Sequence, residues 1–215
     1  IIFTLQSPET SLGFLDRFLA CCEAYNIPVL ILFNKIDLLN FEEVELVEEL
    51  QAMYENLGYQ TLQVSSAEKL NLDKLQEILK DKTCVFFGHS GAGKSTLANA
   101  LQPDLNLKTN EISETHNKGK HTTTFAQMHF WHFGGAVIDT PGVREFAMID
   151  VEKEEIQHYF PEIFEKGREC KFHNCKHINE PKCAVLEALE TGEILESRYI
   201  TYLKLMEEAE EQNQM

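Results

Sequence analysis

The sequence predicts an α/β fold, in which a mostly parallel sheet carries helices on both faces and a small helical domain follows. Short apolar runs, such as 28–33, are typical of strands buried on both faces, and they alternate with amphipathic segments of helical period, such as 42–56. Beyond about residue 150 the chain turns acidic and carries a cluster of cysteines and histidines. We therefore expect an α/β domain over 1–150 and a helical domain with a metal site over 151–215.

The individual elements are predicted from the apolar runs, from the helical period of the amphipathic segments, and from helix-cap and turn residues. Strands are predicted at 1–5, 28–33, 59–64, 84–87, 125–133 and 136–138, the last two joined at Gly134-Gly135. Helices are predicted at 12–25, 42–56, 72–79, 95–101, 152–160 and, with a break at 191–192, 184–212. Asn71 is expected to cap the third of these helices. The polar segment 102–120 shows no regular spacing of apolar residues. It is predicted to be a long loop, and loops of this length are usually functional.

Composition limits the class of protein. The net charge of −16 argues against a broad nucleic-acid-binding face on this chain, because neutralising phosphates requires Lys and Arg. No apolar stretch reaches 18 residues and no signal peptide is recognisable, so we expect a soluble, cytoplasmic protein without membrane contact. We also expect a monomer. The chain begins inside an apolar run at Ile1, so we expect an upstream part to be missing.

A glycine-rich loop lies between the predicted strand 84–87 and the helix that follows it. It reads G-x-x-x-x-G-K-S, a motif whose backbone N–H groups surround a phosphate chain at a helix N-terminus. Lys94 is expected to reach the β- and γ-phosphates, and Ser95 to bind Mg²⁺. The predicted phosphate-binding residues are Gly88, His89, Ser90, Gly91, Ala92, Gly93, Lys94, Ser95 and Thr96.

The buried strand 28–33 ends in the tetrapeptide Asn34, Lys35, Ile36 and Asp37, which reads N-K-x-D. A carboxylate at Asp37 can accept from N1–H and the 2-amino group of guanine, whereas adenine would leave it unpaired. Asn34 can bond the base edge and brace the loop, and the stem of Lys35 can cover the purine face. Beside a phosphate loop, this motif predicts a site for GTP or GDP.

A second element of the base site is predicted where the strand 59–64 ends. The residues there are Ser65, Ser66 and Ala67, and a backbone N–H of this turn is expected to contact O6 of the guanine. A polar turn of this kind is also common without any ligand, so the tripeptide is informative only beside the other motifs.

Two further segments match nucleotide switches. His121 is followed by Thr122, Thr123 and Thr124, of which Thr123 or Thr124 is expected to close on Mg²⁺ and the γ-phosphate. After the strand 136–138 comes D-T-P-G, in which Asp139 would hold Mg²⁺ through a water and the Gly142 N–H would contact the γ-phosphate. Which threonine closes on the metal stays open.

Three of the six cysteines lie within fourteen residues, close to two histidines. Without a secretory signal, such a cluster favours metal binding over disulfides. Cys170, Cys175, His177 and Cys183 read C-x₄-C-x-H-x₅-C, a set that suits a closed structural Zn²⁺ site. His173 is a competing histidine, as a ligand, a neighbour of the ligands or a surface residue.

The order of these motifs is unusual, because the guanine motif comes before the phosphate loop. This order, together with G-H-S-G-A-G-K-S-T, H-T-T-T, D-T-P-G-V-R-E-F and the cysteine cluster, resembles the circularly permuted ribosome small-subunit-dependent GTPase A family (RsgA, also called YjeQ). The resemblance covers essentially the whole chain. It implies a permuted P-loop GTPase domain, Mg²⁺ with GTP or GDP, one structural Zn²⁺ with His177 as the favoured ligand, and an N-terminal OB-fold domain before Ile1.

The resemblance also implies a function: hydrolysis of GTP, stimulated by the small (30S) ribosomal subunit, in the late maturation of that subunit. Contact with ribosomal RNA is expected to need the N-terminal domain. Val143 stands where Ras-like proteins have a water-orienting glutamine. His121 is the candidate to take over this task, with a non-catalytic loop histidine as the alternative, and Lys94 and Gly142 would contact the γ-phosphate. The alternative function is a GTP-gated adaptor whose zinc domain docks RNA or protein.

Overall fold

The computed structural model describes residues 1–107, 127–139 and 152–212, and for Asp139 and Gln212 the backbone only. These residues form two compact units. The first lies within Ile1–Thr10 and Leu30–Glu145, and the second within Ser11–Val29 and Phe146–Met215.

Most of the predicted elements are present with shifts at their ends, and α5 is an additional helix. The strands are β1 (Ile2–Phe3), β2 (Leu30–Phe33), β3 (Gln60–Gln63), β4 (Thr83–Val85), β5 (Gln127–Phe130) and β6 (Ala136–Asp139). The α-helices are α1 (Leu12–Ala24), α2 (Phe41–Asn56), α3 (Leu72–Leu79), α4 (Lys94–Leu101), α5 (Pro161–Gly167), α6 (Ala184–Glu190) and α7 (Glu196–Gln212). Short 3₁₀ helices occupy Ile36–Leu38, Pro103–Leu105 and Lys153–Tyr159.

The strands of the first unit form two three-stranded sheets in which most neighbouring strands are parallel, as predicted. Strand β2 lies between β1 and β3, parallel to both, while β6 lies between β4, its parallel neighbour, and the antiparallel β5. The N–H of Ile2 donates to the carbonyl of Phe87 at 2.7 Å, which joins the two sets of three strands. The carboxyl ends of β1, β2 and β3 therefore lie along one edge.

Helices pack on both faces of the sheet that contains β2 and β3. Leucines of α3 and α4, such as Leu75 and Leu97, are fully buried in one cluster with Leu32 and Val137. Side chains alternate between faces along a strand, so Thr61 and Gln63 lie on the face opposite Leu62. They meet α2, because Thr61 donates to Glu55 at 2.5 Å and Gln63 to Gln51 at 2.9 Å.

Three local predictions need correction. Helix α2 begins at Phe41 because Asn40 forms a capping box with Glu43. Asn71 occupies the N-cap of α3 in a left-handed conformation, and its side chain donates instead to the carbonyl of Gln63 at 2.8 Å. The segment predicted as helix 152–160 is a 3₁₀ helix, with Pro161 opening α5 directly after it.

The second unit contains α1 although that helix lies between β1 and β2 in the chain. A fully buried arginine of α7, Arg198, explains the packing. Its guanidinium donates to Glu162 at 2.7 and 3.0 Å, lies 3.8 Å from Asp16 of α1, and covers the ring of Phe160. At the surface, Arg17 of α1 makes a two-pronged pair with Glu208 of α7. No helix among the described residues is long and apolar enough to cross a bilayer.

Candidate nucleotide site and metal centre

The guanine motif and the S-S-A turn leave the sheet side by side. The N–H of Asn34 donates to Phe3 at 2.9 Å, and the N–H of Val64 donates to Phe33 at 2.8 Å. These bonds continue the parallel pairing of β1, β2 and β3 to the strand ends. The segments 34–37 and 65–67, of which Asp37 and Ser65 are 28 positions apart in sequence, therefore leave the same edge of the sheet, where ligands bind in parallel sheets.

Asn34 connects three of the predicted segments. Its side-chain N–H donates to the carbonyl of Ala92 in the phosphate loop at 2.9 Å. Its Oδ1 accepts from the Ser66 hydroxyl at 3.0 Å and from the Ser66 N–H at 3.3 Å. Because Asn34 is buried, all of these bonds are shielded from water. The amide therefore braces the loops through one of its two N–H groups and through its oxygen.

Asp37 is held by the neighbouring turn. The buried Ser65 hydroxyl donates to Asp37 Oδ1 at 2.5 Å and accepts from the N–H of Glu68 at 3.0 Å. Asp37 itself is exposed, as a base-reading carboxylate has to be. Ser65 thus orients the carboxylate, a role that the sequence did not indicate, since the turn was expected to act through a backbone N–H. Ala67 follows on the same turn and Ile36 begins the 3₁₀ helix after Lys35.

The phosphate loop spans the chain between β4 and α4, and two of its glycines are required by close approaches. A Cβ on Gly88 would lie 2.6 Å from the carbonyl oxygen of Ile2, and one on Gly93 would lie 2.5 Å from Asn34 Nδ2. Gly93 also has φ +102°, which side chains rarely adopt. Helix α4 begins at Lys94, so the N–H groups of its first turn face the loop.

Two lysines bond to the phosphate loop. The ammonium of Lys94 donates to the carbonyls of Gly88 at 2.7 Å and His89 at 2.9 Å, closing the loop on itself. Lys35 donates to Gly91 at 2.7 Å and also to the carbonyl of Ser7. Burial lowers the pKa of Lys35, and the negative charge of Asp37 partly opposes this shift.

Ser95 lies beside the strand that ends in Asp139. Strands β4 and β6 are parallel neighbours, so the phosphate loop and Asp139 leave the sheet at the same edge. A small pocket there is lined by Lys94, Ser95 and Leu107, among others. Asn99 of α4 fixes the backbone of Leu107 by two bonds of 2.9 Å. The other predicted switch residues, His121, Thr122, Thr123, Thr124, Gly142 and Val143, lie outside the described residues, as does the Asp139 side chain.

The second unit brings Cys170, Cys175, His177 and Cys183 together. Their ligand atoms all lie within 4.8 Å of one another. The sulfurs of Cys170 and Cys183 are 3.8 Å apart, and His177 Nδ1 lies 3.6 and 3.4 Å from them. A tetrahedral Zn²⁺ with its usual bond lengths would separate two sulfurs by about 3.8 Å and a sulfur and a nitrogen by about 3.5 Å. The four residues therefore fit Zn²⁺, whereas His173 is exposed and outside the cluster.

The surroundings hold His177 in place. Its Nε2 lies 3.4 Å from Gln157 Oε1, and a Cβ on Gly167 would approach the ring to 3.1 Å. Its own carbonyl accepts from the Tyr199 hydroxyl at 2.7 Å. A hydrogen bond to the second ring nitrogen fixes the tautomer of a metal-binding histidine, so Gln157 is suited to orient Nδ1 towards the sulfurs. The sequence carried no signal for Gln157.

Burial sets the protonation of the cluster. It raises the pKa of the Cys175 thiol to about 12, raises that of Cys183, and lowers that of His177. Neutral imidazole is the metal-binding form, whereas the thiols must lose their protons to bind. A metal would have to displace those protons, as a coordinated cation does.

Comparisons with known proteins agree with this architecture. The model of the RsgA GTPase family matches residues 1–149. The protein "Small ribosomal subunit biogenesis GTPase RsgA" of Christiangramia forsetii is 48% identical over 98% of this chain and 67% of its own length. Its counterpart in Flavobacterium psychrophilum is 49% identical over 96% of this chain and 64% of its own length.

Two solved structures share the fold. The crystal structure of YjeQ from Thermotoga maritima has a TM-score of 0.81 and 39% identity, over 97% of this chain and 69% of that one. YloQ, described as a circularly permuted GTPase, has a TM-score of 0.79 and 35% identity, over 99% of this chain and 67% of that one. The chain spans about two thirds of the length of its relatives. The predicted fold class is thereby confirmed, and the chain belongs to the RsgA GTPase family.

Proposed function

We propose that this chain binds and hydrolyses GTP in the biogenesis of the small ribosomal subunit, the process named for its relatives. The observation that carries the proposal is the junction at Asn34, where one buried amide ties the guanine motif to both the S-S-A turn and the phosphate loop. A site built in this way can read a base and hold a phosphate chain at once. The family membership supports GTP as the nucleotide.

In the proposed site, Asp37 reads the base and Lys35 covers it, while residues 88–96 hold the phosphates. Ser95, Asp139 and Thr123 or Thr124 are the proposed holders of Mg²⁺, which would neutralise charge on the phosphates. Lys94, bonded here to loop carbonyls, is close enough to the loop to exchange those bonds for phosphate oxygens. Gly142 and His121 keep their proposed roles, as γ-phosphate contact and water-orienting group.

The proposed functional division places the nucleotide site in 1–150 and the metal site in 151–215. The four ligands Cys170, Cys175, His177 and Cys183 would hold one Zn²⁺ with no open position, so the ion would have a structural role. Contact with ribosomal RNA is proposed to depend on a part of the protein outside this chain.

The test is GTP turnover by the full-length protein, titrated with small ribosomal subunits. We expect slow hydrolysis alone, strong stimulation by the subunit, and loss of both in Lys94→Ala. Saturable binding to the subunit without any stimulation would favour instead a GTP-gated adaptor in which hydrolysis is incidental. His121→Ala should lose the stimulated turnover while keeping GDP affinity, and unchanged turnover would exclude His121 as the water-orienting group.

A further inference from the structure

The loop that follows β1 contacts the guanine motif on both sides of Asp37. On one side, the Lys35 ammonium donates to the carbonyl of Ser7. On the other, the side-chain N–H of Gln6 donates to the carbonyl of Leu38 at 2.8 Å. Asp37 lies between the two bonded residues, of which Lys35 is bonded through its side chain and Leu38 through its main-chain carbonyl. No nucleotide-binding motif includes Gln6 or Ser7.

The loop is well suited to act as a fixed support. The hydroxyl of the buried Thr4 donates to the carbonyl of Pro8 at 2.5 Å, and the N–H of Thr10 donates to the carbonyl of Thr4 at 2.8 Å. These bonds close residues 4–10 into a compact turn at the end of β1. Because β1 is hydrogen-bonded to β2, the support and the guanine motif are anchored on adjacent strands.

Gln6 also reaches the helix that follows the motif. Its Nε2 lies 3.5 Å from Glu43 Oε2, the carboxylate that accepts from the N–H of Asn40 in the capping box of α2. The Gln6 amide therefore contacts both the main-chain carbonyl of Leu38 and the capping carboxylate of Glu43 in α2. Rotation of the 3₁₀ turn Ile36–Leu38, which would carry Asp37 away from the base, would break the bond to Leu38.

We propose that Gln6 is a positioning residue for guanine recognition, holding the backbone after Asp37 so that its carboxylate meets the base. This rests on the proposed function, since it assigns to Asp37 the reading of N1–H and the 2-amino group. Gln6 touches no nucleotide in this role and acts through Leu38. A change at Gln6 should therefore alter the preference among bases more than the affinity for the phosphates.

The test compares GDP with IDP, whose base lacks the 2-amino group. In the parent chain GDP binds more tightly, because IDP leaves one acceptor of Asp37 unpaired. Gln6→Met keeps the length of the side chain but removes the donor. We expect it to lower the GDP-over-IDP preference by roughly three- to tenfold, the size of one hydrogen bond. Gln6→Lys, which restores an N–H donor, should recover most of the preference.

The matched control is Gln76→Met, since Gln76 also donates to a main-chain carbonyl of the same unit, that of Leu101 at 3.3 Å. The GDP-over-IDP preference of Gln76→Met should equal that of the parent. An unchanged preference in Gln6→Met, or an equal loss of affinity for both nucleotides, would overturn the positioning role. If the parent itself bound no GDP, or bound GDP and IDP alike, the proposed guanine site would fail, and the inference with it.

Discussion

Asn34 Nδ2 donates to the carbonyl oxygen of Ala92 at 2.9 Å, across 58 positions of sequence. The bond joins the residue that opens the guanine motif to the middle of the phosphate loop. Because Asn34 Oδ1 is bonded to Ser66 at the same time, the side chain cannot turn without breaking contacts on both sides. The guanine motif and the phosphate loop are thus held at a fixed separation.

Gly93→Ala should therefore disable nucleotide binding. The new Cβ would lie 2.5 Å from Asn34 Nδ2, and moving the buried amide would break its bond to Ala92. We expect GDP affinity to fall at least tenfold, measured by isothermal titration calorimetry. Gly58→Ala is the control, because Gly58 has a similar φ of +93° but nothing within 4 Å of its Cβ. If both variants bound GDP equally, the close approach would be unimportant.

His177→Ala should remove bound zinc, whereas His173→Ala should keep it. Of these two histidines, His177 has its Nδ1 within ligand distance of the cysteine sulfurs, whereas His173 is exposed. We expect one Zn²⁺ per chain in the parent and in His173→Ala, measured by mass spectrometry of the purified protein. A chain that loses its zinc on changing His173 and keeps it on changing His177 would reverse the ligand assignment.

Arg198→Met should strongly destabilise the second unit. Removing the buried guanidinium leaves Glu162 and Asp16 without its charge, which typically costs about 3–5 kcal/mol. Arg17→Met removes a partly exposed arginine from the same unit and should cost at most about 1 kcal/mol. Urea unfolding followed by circular dichroism, with zinc present, measures both. Equal midpoints for the two variants would contradict the difference in burial.

The Arg17–Glu208 pair should stabilise the fold at neutral pH and lose this effect in acid. The hydrogen bond from Arg17 lowers the pKa of Glu208, so the folded protein binds this proton less readily than the unfolded chain. The contribution is complete above the unfolded pKa of about 4.3 and disappears as the pH falls through the lowered folded value.

The stability difference between parent and Glu208→Gln should therefore be largest at pH 7 and shrink below pH about 4. Its size should be at most about 1 kcal/mol, because the Glu208 side chain is 44% exposed. Urea unfolding at several pH values measures it, with Glu207→Gln, an exposed neighbour on the same helix, as the control for removing one charge. A difference independent of pH would show that the ion pair contributes nothing.

Much of the fold could be predicted from the sequence, because its signals are local. The apolar run before Asn34 predicts a strand and the helical period after it predicts a helix, because both signals depend only on neighbouring residues. The structure has β2 and α2 there. Asn71 shows the limit. Its residue type favours a side-chain cap, but the carbonyl of Gln63, brought close by the fold, takes the side-chain bond instead.

The sequence by itself determined the chemistry available to this protein: the residue types and spacings of the phosphate loop, of N-K-x-D and of the four predicted metal ligands. Only the tertiary structure decided which side chains support them. The Ser65 hydroxyl on Asp37, the Gln6 amide on Leu38 and the Gln157 oxygen beside His177 all join residues distant in sequence. Such contacts depend on which strands and helices become neighbours, and no local pattern of residues encodes that. The same holds for α1, whose amphipathic period predicted a buried face but not that Arg198 and Glu208 of α7 would pair with it.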